Sequence, residues 1–440
     1  MSNITKLSPK LDNTFLKIYK LLQKSKDHFF ITGQAGTGKS TLLNYFVQNS
    51  NKNIAILAPT GLAAVNVGGQ TIHSFFKFPL NLLDLSQIKV VPNNKIYKEL
   101  DTIIIDEVSM VRADLIDAMD KFLRLNGKSK RKSFGGIQMI FVGDLFQLPP
   151  VLISTERELF LQKYQTAYFL SSQAFVDLEL KMVELTKIYR QNDQFFIDIL
   201  NKVRVGKVGW NEINVLNRNF QPDFEPKVGE FYVTLTTTNR QADMINGEKL
   251  AKIAKTERQF EAEVDGSFAP KSFPNEEILK LKVGAQVLFI KNDPKKRWVN
   301  GTLGKILKFE KNRVAVLTEN GVVEVESETW DMTKYQLNPV NNRVEAEIIG
   351  TFQQLPIKLA WAITIHKSQG QTFEKVVLDI TGGAFAHGQI YVALSRCATL
   401  QGLVLKRKVY PAAIIVDPEV VVFYEEIKQK SLIKTEEIEN

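Results

Sequence analysis

Residues 33–40 read GQAGTGKS, the G-x-x-x-x-G-K-S pattern of a loop that wraps nucleotide phosphates. Backbone N–H groups at Gly33, Gly36 and Gly38 suit phosphate oxygens. Gln34, Ala35, Thr37 and Thr41 complete the loop and open the helix, whose N-terminal dipole favours an anion. Lys39 is placed to reach the β- and γ-phosphates, and the Ser40 hydroxyl to ligate Mg²⁺. A second stretch, TIIIDE (102–107), ends a buried-strand pattern on two acids. There Asp106 suits Mg²⁺, and Glu107 suits orienting and deprotonating an attacking water. Such an acid pair points to hydrolysis of ATP by water, not transfer to a small acceptor. The base-reading NKxD of guanine switches is missing from the sequence.

Charge on a transferring phosphoryl group calls for a cation, and arginine's planar donor fork supplies one. Arg190 (IYRQND) and Arg396 (YVALSRC) are candidates in the second half of the chain. Help from a second lobe puts ATP in a cleft whose closure couples hydrolysis to movement. Two stretches echo each other, QTIHSFF (70–76) and ITIHKSQG (363–370), and hold two of the four histidines. His73, Phe75, Thr364, His366, Lys367 and Ser368 suit tracking a single-stranded phosphodiester backbone and stacking on its bases. Thr60 and Gly61 in APTGLAA add a backbone contact for phosphate. Taken singly, each of these also fits an ordinary loop or core position. The basic runs GKSKRK (127–132) and KNDPKKRW (291–298) either face nucleic acid or are solvated loops.

The elements that must position these groups are α/β. Short runs apolar at every position, HFFIT (28–32), IAILAP (54–59), IQMIFVGD (137–144), MVELT (182–186), YVTLTTTN (232–239) and KVVLDI (375–380), suit strands of a parallel sheet buried on both faces. Helical stretches such as 41–49 and 111–125 lie between them, giving two stacked sheet domains, 1–180 and 181–279 with 357–430. Residues 280–356 instead read as short strands with turns at Asn300-Gly301 and Asn320-Gly321, a barrel-like insert. The polar end, 431–440, reads as a tail. The 440 residues suffice for two or three full cores. A formal charge of +9 is compatible with a polyanionic partner without requiring one. A single cysteine, Cys397, excludes an intramolecular disulfide and fits a reducing compartment. With no signal or spanning segment, the expected setting is cytoplasmic, at the nucleoid if the source is bacterial.

Seven stretches, GQAGTGKS, APTGLAA, IIIDEVSM, FGGIQMIFVGDLFQLPPV, LTKIYRQND, WAITIHKSQGQTF and YVALSRC, follow one another in the order of superfamily-one helicases. The fourth most closely resembles the Pif (petite integration frequency) DNA helicases, relatives of RecD-like helicases. The resemblance implies an ATP- and Mg²⁺-dependent DNA helicase moving 5′ to 3′ on single-stranded DNA and opening forked or structured DNA, including four-stranded guanine structures. It implies two RecA-like cores, a wedge near 76–98 and a Src-homology-three-like barrel in the second core. It also puts Gln147 on the γ-phosphate and Gly370 and Gln371 against both ligands. Trp298 in WVNGTLG either stacks on a base or packs. The family's adenine-reading glutamine has no counterpart near Thr14, where Leu11, Asp12 and Asn13 stand, and Gln23 lies too close to the loop. Nucleotide selectivity is therefore expected to be loose. A monomer is expected. The competing reading is a nucleotide-gated DNA-binding switch that never unwinds, and a third is a RecD-like subunit of a nuclease complex.

Overall fold

In the computed structural model, residues 13–433 are described, apart from 177, 190–192, 228 and 312. The first core is a six-stranded parallel sheet of β1 (His28–Gly33), β2 (Ile54–Ala58), β3 (Gln70–Thr71), β4 (Thr102–Ile105), β5 (Gln138–Val142) and β6 (Leu180–Leu185), in the order β3-β2-β4-β5-β1-β6. Side chains alternate across a strand, so one run feeds two layers. Phe29, Ile31, Ile104, Ile140 and Val142 pack with Phe15, Ile18 and Leu22 of the Asn13–Lys24 helix and Leu42, Leu43 and Phe46 of the Lys39–Asn49 helix. Phe30, Ile103, Ile105, Met139 and Phe141 face the opposite layer, with Met119 and Phe122 of the Ala113–Asn126 helix. That double burial is why these strands lack polar alternation.

β6 corrects the expected boundary at 180. It pairs with β1 in parallel over six residues, from His28 against Leu180 to Gly33 against Leu185, so the first sheet runs to 185. MVELT has the composition of any buried strand, and composition alone does not say which sheet recruits it.

After β7 (Val233–Thr236) the chain enters the insert: β8 (Glu257–Glu261), β9 (Glu263–Gly266), β10 (Ile278–Lys282), β11 (Gln286–Phe289), β12 (Leu303–Phe309), β13 (Val314–Thr318), β14 (Gly321–Val325), β15 (Glu328–Leu337), β16 (Val344–Gln354) and β17 (Ile357–Leu359). It then returns through β18 (Ala362–Thr364), β19 (Val376–Asp379) and β20 (Leu403–Leu405), which form the second parallel sheet in the order β18-β7-β19-β20. The insert therefore begins near 257, not 280. β8 pairs with β10, and β9 with β16. The ERQFE segment, exposed at alternate positions, and the EVDG segment, exposed throughout, carry too little apolar signal to be read as strands from sequence. The antiparallel sheet β14-β13-β12-β11-β17 and β10 enclose one core of Leu279, Leu281, Val287, Phe289, Trp298, Ile306, Val316 and Ile357. The long β15–β16 hairpin projects from it as an arm.

The chain end also differs from expectation. The sequence places residues up to 430 in the second core and 431–440 in a tail, but the helix Pro418–Ser431 packs on β6 of the first. Tyr424 bonds Glu184, Lys428 pairs with Glu184 at 3.1 Å, and Ile433 N–H donates to Met182 O at 2.8 Å. Residues 434–440 lie outside the described residues. Among the described residues no helix is long and apolar enough to cross a membrane.

Candidate nucleotide and DNA site

Register places the chemistry on one edge of the first sheet. Ile105 of β4 lies level with Phe141 of β5, which lies level with Phe30 of β1. The glycine loop, the Asp106–Glu107 pair and the GDLFQLPP segment therefore leave the same carboxyl edge, where open parallel sheets bind ligands. Adjacent strands are ~4.8 Å apart, so β1 and β4 are separated by roughly 10 Å, a gap that phosphates can span.

The loop needs its glycines for specific reasons. Gly38, with φ 84°, is left-handed where the helix starts, and a Cβ there would stand 2.9 Å from the Phe15 ring. At Gly33 a Cβ would stand 2.5 Å from Leu185 O of β6. Lys39 Nζ donates to Gly33 O at 2.7 Å and Gln34 O at 3.0 Å. The same ammonium acts electrostatically on both Asp106 and Asp144. Asp106 is buried, and that burial with the neighbouring Glu107 charge pushes its carboxyl up to about 7. A carboxylate held out of water beside another favours a cation. Glu107 itself is left-handed, φ 50° and ψ 44°, a strained geometry common where a side chain must be aimed.

Asp144 is a junction the sequence reading passed over. Arg204, from the helix Gln194–Arg204, donates to its Oδ1 through Nη2 at 2.8 Å and Nε at 3.2 Å. Tyr391, from the helix Gln389–Leu394, donates to Oδ2 at 3.3 Å, and Gln147 Nε2 lies 3.5 Å from the same oxygen. Burial opposes the Asp144 charge, but Arg204 and Lys39 offset that and hold its carboxyl below the usual range. Asp144 and Tyr391 sit inside quoted motifs, GDLFQLPP and YVALSRC, whose more reactive members drew the attention. Arg204 lies in a plain amphipathic helix and gives no signal in one sequence.

The expected second-core residues divide. Arg396 is 1% exposed, with Nε on Val392 O at 3.0 Å and Nη1 on Gln371 O at 3.2 Å and Ser368 O at 3.4 Å. It thus ties the ITIHKSQGQ turn to the helix that carries Tyr391. Arg190 lies outside the described residues. Gly370 takes φ 78° at an exposed point of that turn. Thr364 and Ser368 turn their hydroxyls inward: Thr364 Oγ1 accepts from Lys367 N–H at 3.3 Å, and Ser368 Oγ donates to Ile365 O at 2.7 Å. His366 is half-buried and Lys367 exposed.

In the first core Thr60 is exposed and caps the short helix Gly61–Asn66, accepting from Ala63 N–H at 3.2 Å. Gly61 lies under the insert, where a Cβ would meet Ser272 Oγ at 2.4 Å. His73 is half-buried. Phe75 corrects the expectation of base stacking. Its ring is 6% exposed and packs edge-on against Phe76, Tyr97 and Tyr335 at 4.9, 5.5 and 6.0 Å, so it is core. Trp298 also packs, 4.6 Å from the Phe289 ring with Nε1 on Lys291 O. Near the glycine loop, Phe15 and Tyr189 form an edge-on pair at 6.2 Å beside Gly38. Gln23 faces away, accepting from Ser50 Oγ at 2.6 Å.

Comparison with known proteins decides the family. Residues 6–213 match the PIF1-like helicase family, 267–309 the Pif1 2B domain and 359–404 the UvrD-like helicase C-terminal domain. The chain is 34% identical to the ATP-dependent DNA helicase Pif1 of Bdellovibrio bacteriovorus, over 92% of this chain and 90% of that one. It belongs to the Pif1 family of ATP-dependent DNA helicases. Unliganded Bacteroides Pif1, 36% identical, superposes with a TM-score of 0.88 over 96% of this chain and 98% of that one. The same Bacteroides protein bound to single-stranded DNA, at the same coverage, scores 0.67. With the Pif1 fold established, the 267–309 match falls within the first part of the barrel insert, and the first-core match spans every phosphate-loop residue described above.

Proposed function

We propose that this Pif1-family helicase binds ATP at the carboxyl edge of the first sheet and moves 5′ to 3′ along single-stranded DNA, opening forks and structured DNA such as guanine quadruplexes. The observation that carries the reading is the convergence of Lys39, Asp106, Glu107, Asp144 and Gln147 on one sheet edge, with Tyr391 of the second core bonded to the glycine loop.

Mg²⁺ binds through one or two protein oxygens plus phosphates, and Ser40 with Asp106 offers that donor set. When bound, the ion neutralises charge on the phosphates. Lys39 holds the β- and γ-phosphates, Gln147 meets the γ-phosphate, and Glu107 takes the proton of the attacking water. Arg396, with Arg190, supplies cationic charge from the second core. The aromatic pair Phe15 and Tyr189 supports a base by stacking, which any purine satisfies, so GTP is expected to serve within about tenfold of ATP. His73, Thr60, Gly61, His366 and Lys367 line the DNA path, with backbone groups standing in for the inward-turned hydroxyls of Thr364 and Ser368. A monomer, working in the cytoplasm, completes the reading.

Directionality follows from the family resemblance and is tested on tailed duplexes. A 5′-tailed duplex is expected to be unwound with ATP and Mg²⁺ and a 3′-tailed one spared. Equal opening of both overturns the polarity. Duplex left intact while DNA-stimulated hydrolysis proceeds would instead favour the non-unwinding switch.

A further inference from the structure

The bonds around Asp144 join residues of both cores to the glycine loop. Asp144 and Ala35 belong to the first core. Tyr391 rides the helix before Arg396, and Arg204 rides a helix in contact with it. Ala35 N–H donates to the Tyr391 hydroxyl oxygen at 3.2 Å, and that hydroxyl donates to Asp144 Oδ2 at 3.3 Å. We propose that Tyr391 is a positioning residue for ATP turnover, its hydroxyl tying the conformation of the glycine loop to the placement of the second core.

The hydroxyl is suited to this because it is donor and acceptor at once, and both capacities are used. Its neighbourhood is dry: Asp144 is 0%, Tyr391 3% and Arg204 4% exposed. The Arg204 guanidinium also lies 4.3 Å from the Phe146 ring centre, which closes that side to water. A bond broken there finds no water to replace it, so loop and second core are constrained to shift together. The helix is also pressed against the segment that carries Gln147. His387 Nε2 sits 2.8 Å from Leu145 O, and a Cβ on Gly388 would stand 2.4 Å from Phe146 O and 2.5 Å from Gln147 O. A rearrangement of the loop around a nucleotide therefore reaches Gln147 through Asp144, and the second core through Tyr391 and Arg204. Packing alone does not account for the hydroxyl, because a phenylalanine ring fills the same space.

The test is Tyr391→Phe in the full chain, with three readouts. The first is protection of the Ala35 amide in hydrogen exchange without nucleotide. The second is KM and kcat for ATP at saturating single-stranded DNA. The third is forked duplex opened per ATP hydrolysed, a substrate that carries both tails and so is independent of polarity. The Ala35 amide is expected to exchange about tenfold faster and KM for ATP to rise about fivefold to tenfold, the worth of one neutral hydrogen bond. Duplex opened per ATP is expected to fall by at least about threefold, with the melting temperature shifted by less than about 3 °C. Unchanged exchange at Ala35 overturns the proposal. So does faster exchange with KM and opening per ATP both unchanged, or a lowered melting temperature with normal kinetics, which would mark a merely structural role.

Discussion

Lys39 rests on two carbonyls of its own loop, Gly33 and Gln34, so its ammonium is already held beside the phosphate position. Lys39→Ala is expected to abolish ATP hydrolysis while leaving the melting temperature within a few degrees, read by phosphate release and thermal denaturation. Glu107→Gln removes a base and keeps the shape. ATP binding should persist while turnover falls on the order of 10²–10⁴-fold; hydrolysis near the parental rate would reassign the base. The histidines carry a separate prediction. All four have their pKa lowered by burial, His28 to about 4, with His73, His366 and His387 shifted the same way. A histidine held neutral in the folded state costs nothing above pH 6.5, where the unfolded chain is neutral too. As pH falls below 6.5 the unfolded chain binds protons that the fold refuses, and stability drops. For His28, which accepts from Met139 N–H through Nδ1, the loss approaches ~1.4 kcal/mol per pH unit down to about pH 4. Melting temperature should therefore decline steadily from pH 7 to pH 5, and His28→Gln should flatten the decline. A flat parental profile would contradict this.

The helix Gln389–Leu394 shows how one element holds two cores in register. Its N-cap, Gly388, has φ 69° and presses against the carbonyls of Phe146 and Gln147. Gly388→Ala adds a left-handed strain of ~1–2 kcal/mol and a clash with fixed backbone. The expected result is a melting temperature several degrees lower and weaker DNA-stimulated hydrolysis; an unperturbed protein would mean the cores are already loose there. Elements of this kind explain what the sequence disclosed and what it concealed. The glycine loop and the Asp106–Glu107 pair were legible because their chemistry is local, set by spacing within a few residues. Asp144, Tyr391 and Arg204 were not, because what makes them functional is a meeting of segments up to 356 residues apart. β6 was read as a strand but given to the wrong sheet, since every buried parallel strand has the same apolar signature. Phe75 was misread for the converse reason: a phenylalanine beside a histidine suits a base platform and a core equally. The rings of Phe76 and Tyr97, with that of Tyr335 contributed from the insert, show that it is enclosed.

Over the whole molecule, the insert's arm reaches back onto the first core. Ile56 N–H of β2 donates to the Tyr335 hydroxyl at 3.0 Å, and Thr333 Oγ1 donates to Gly69 O at 3.0 Å. Beyond these, Arg343 Nη1 reaches Asn51 O at 3.2 Å. The arm covers the half of β2 that β3 leaves unpaired, because β3 takes only Leu57 and Ala58. Ser272 meanwhile lies over Gly61, one of the residues expected on the DNA path. A strand laid against Gly61 would have to share that space with Ser272. Bacteroides Pif1 with ADP-AlF4 still superposes at 0.88, as the unliganded protein does, whereas the DNA-bound form falls to 0.67 at unchanged identity and coverage. If docking of the arm competes with DNA, weakening the dock should tighten DNA binding, since apparent affinity scales with the fraction of molecules already competent. Tyr335→Phe keeps the ring against Phe75 but leaves the buried Ile56 amide without its acceptor, raising the docked state by ~1–3 kcal/mol. Anisotropy of a labelled oligothymidine should show affinity increased by roughly fivefold to a hundredfold. Energy transfer between dyes at Asn51 and Asn341 should fall on adding DNA, and should start lower in the variant. Unchanged or weaker binding, with energy transfer indifferent to DNA, would mean that the arm is a fixed brace and the DNA path lies elsewhere.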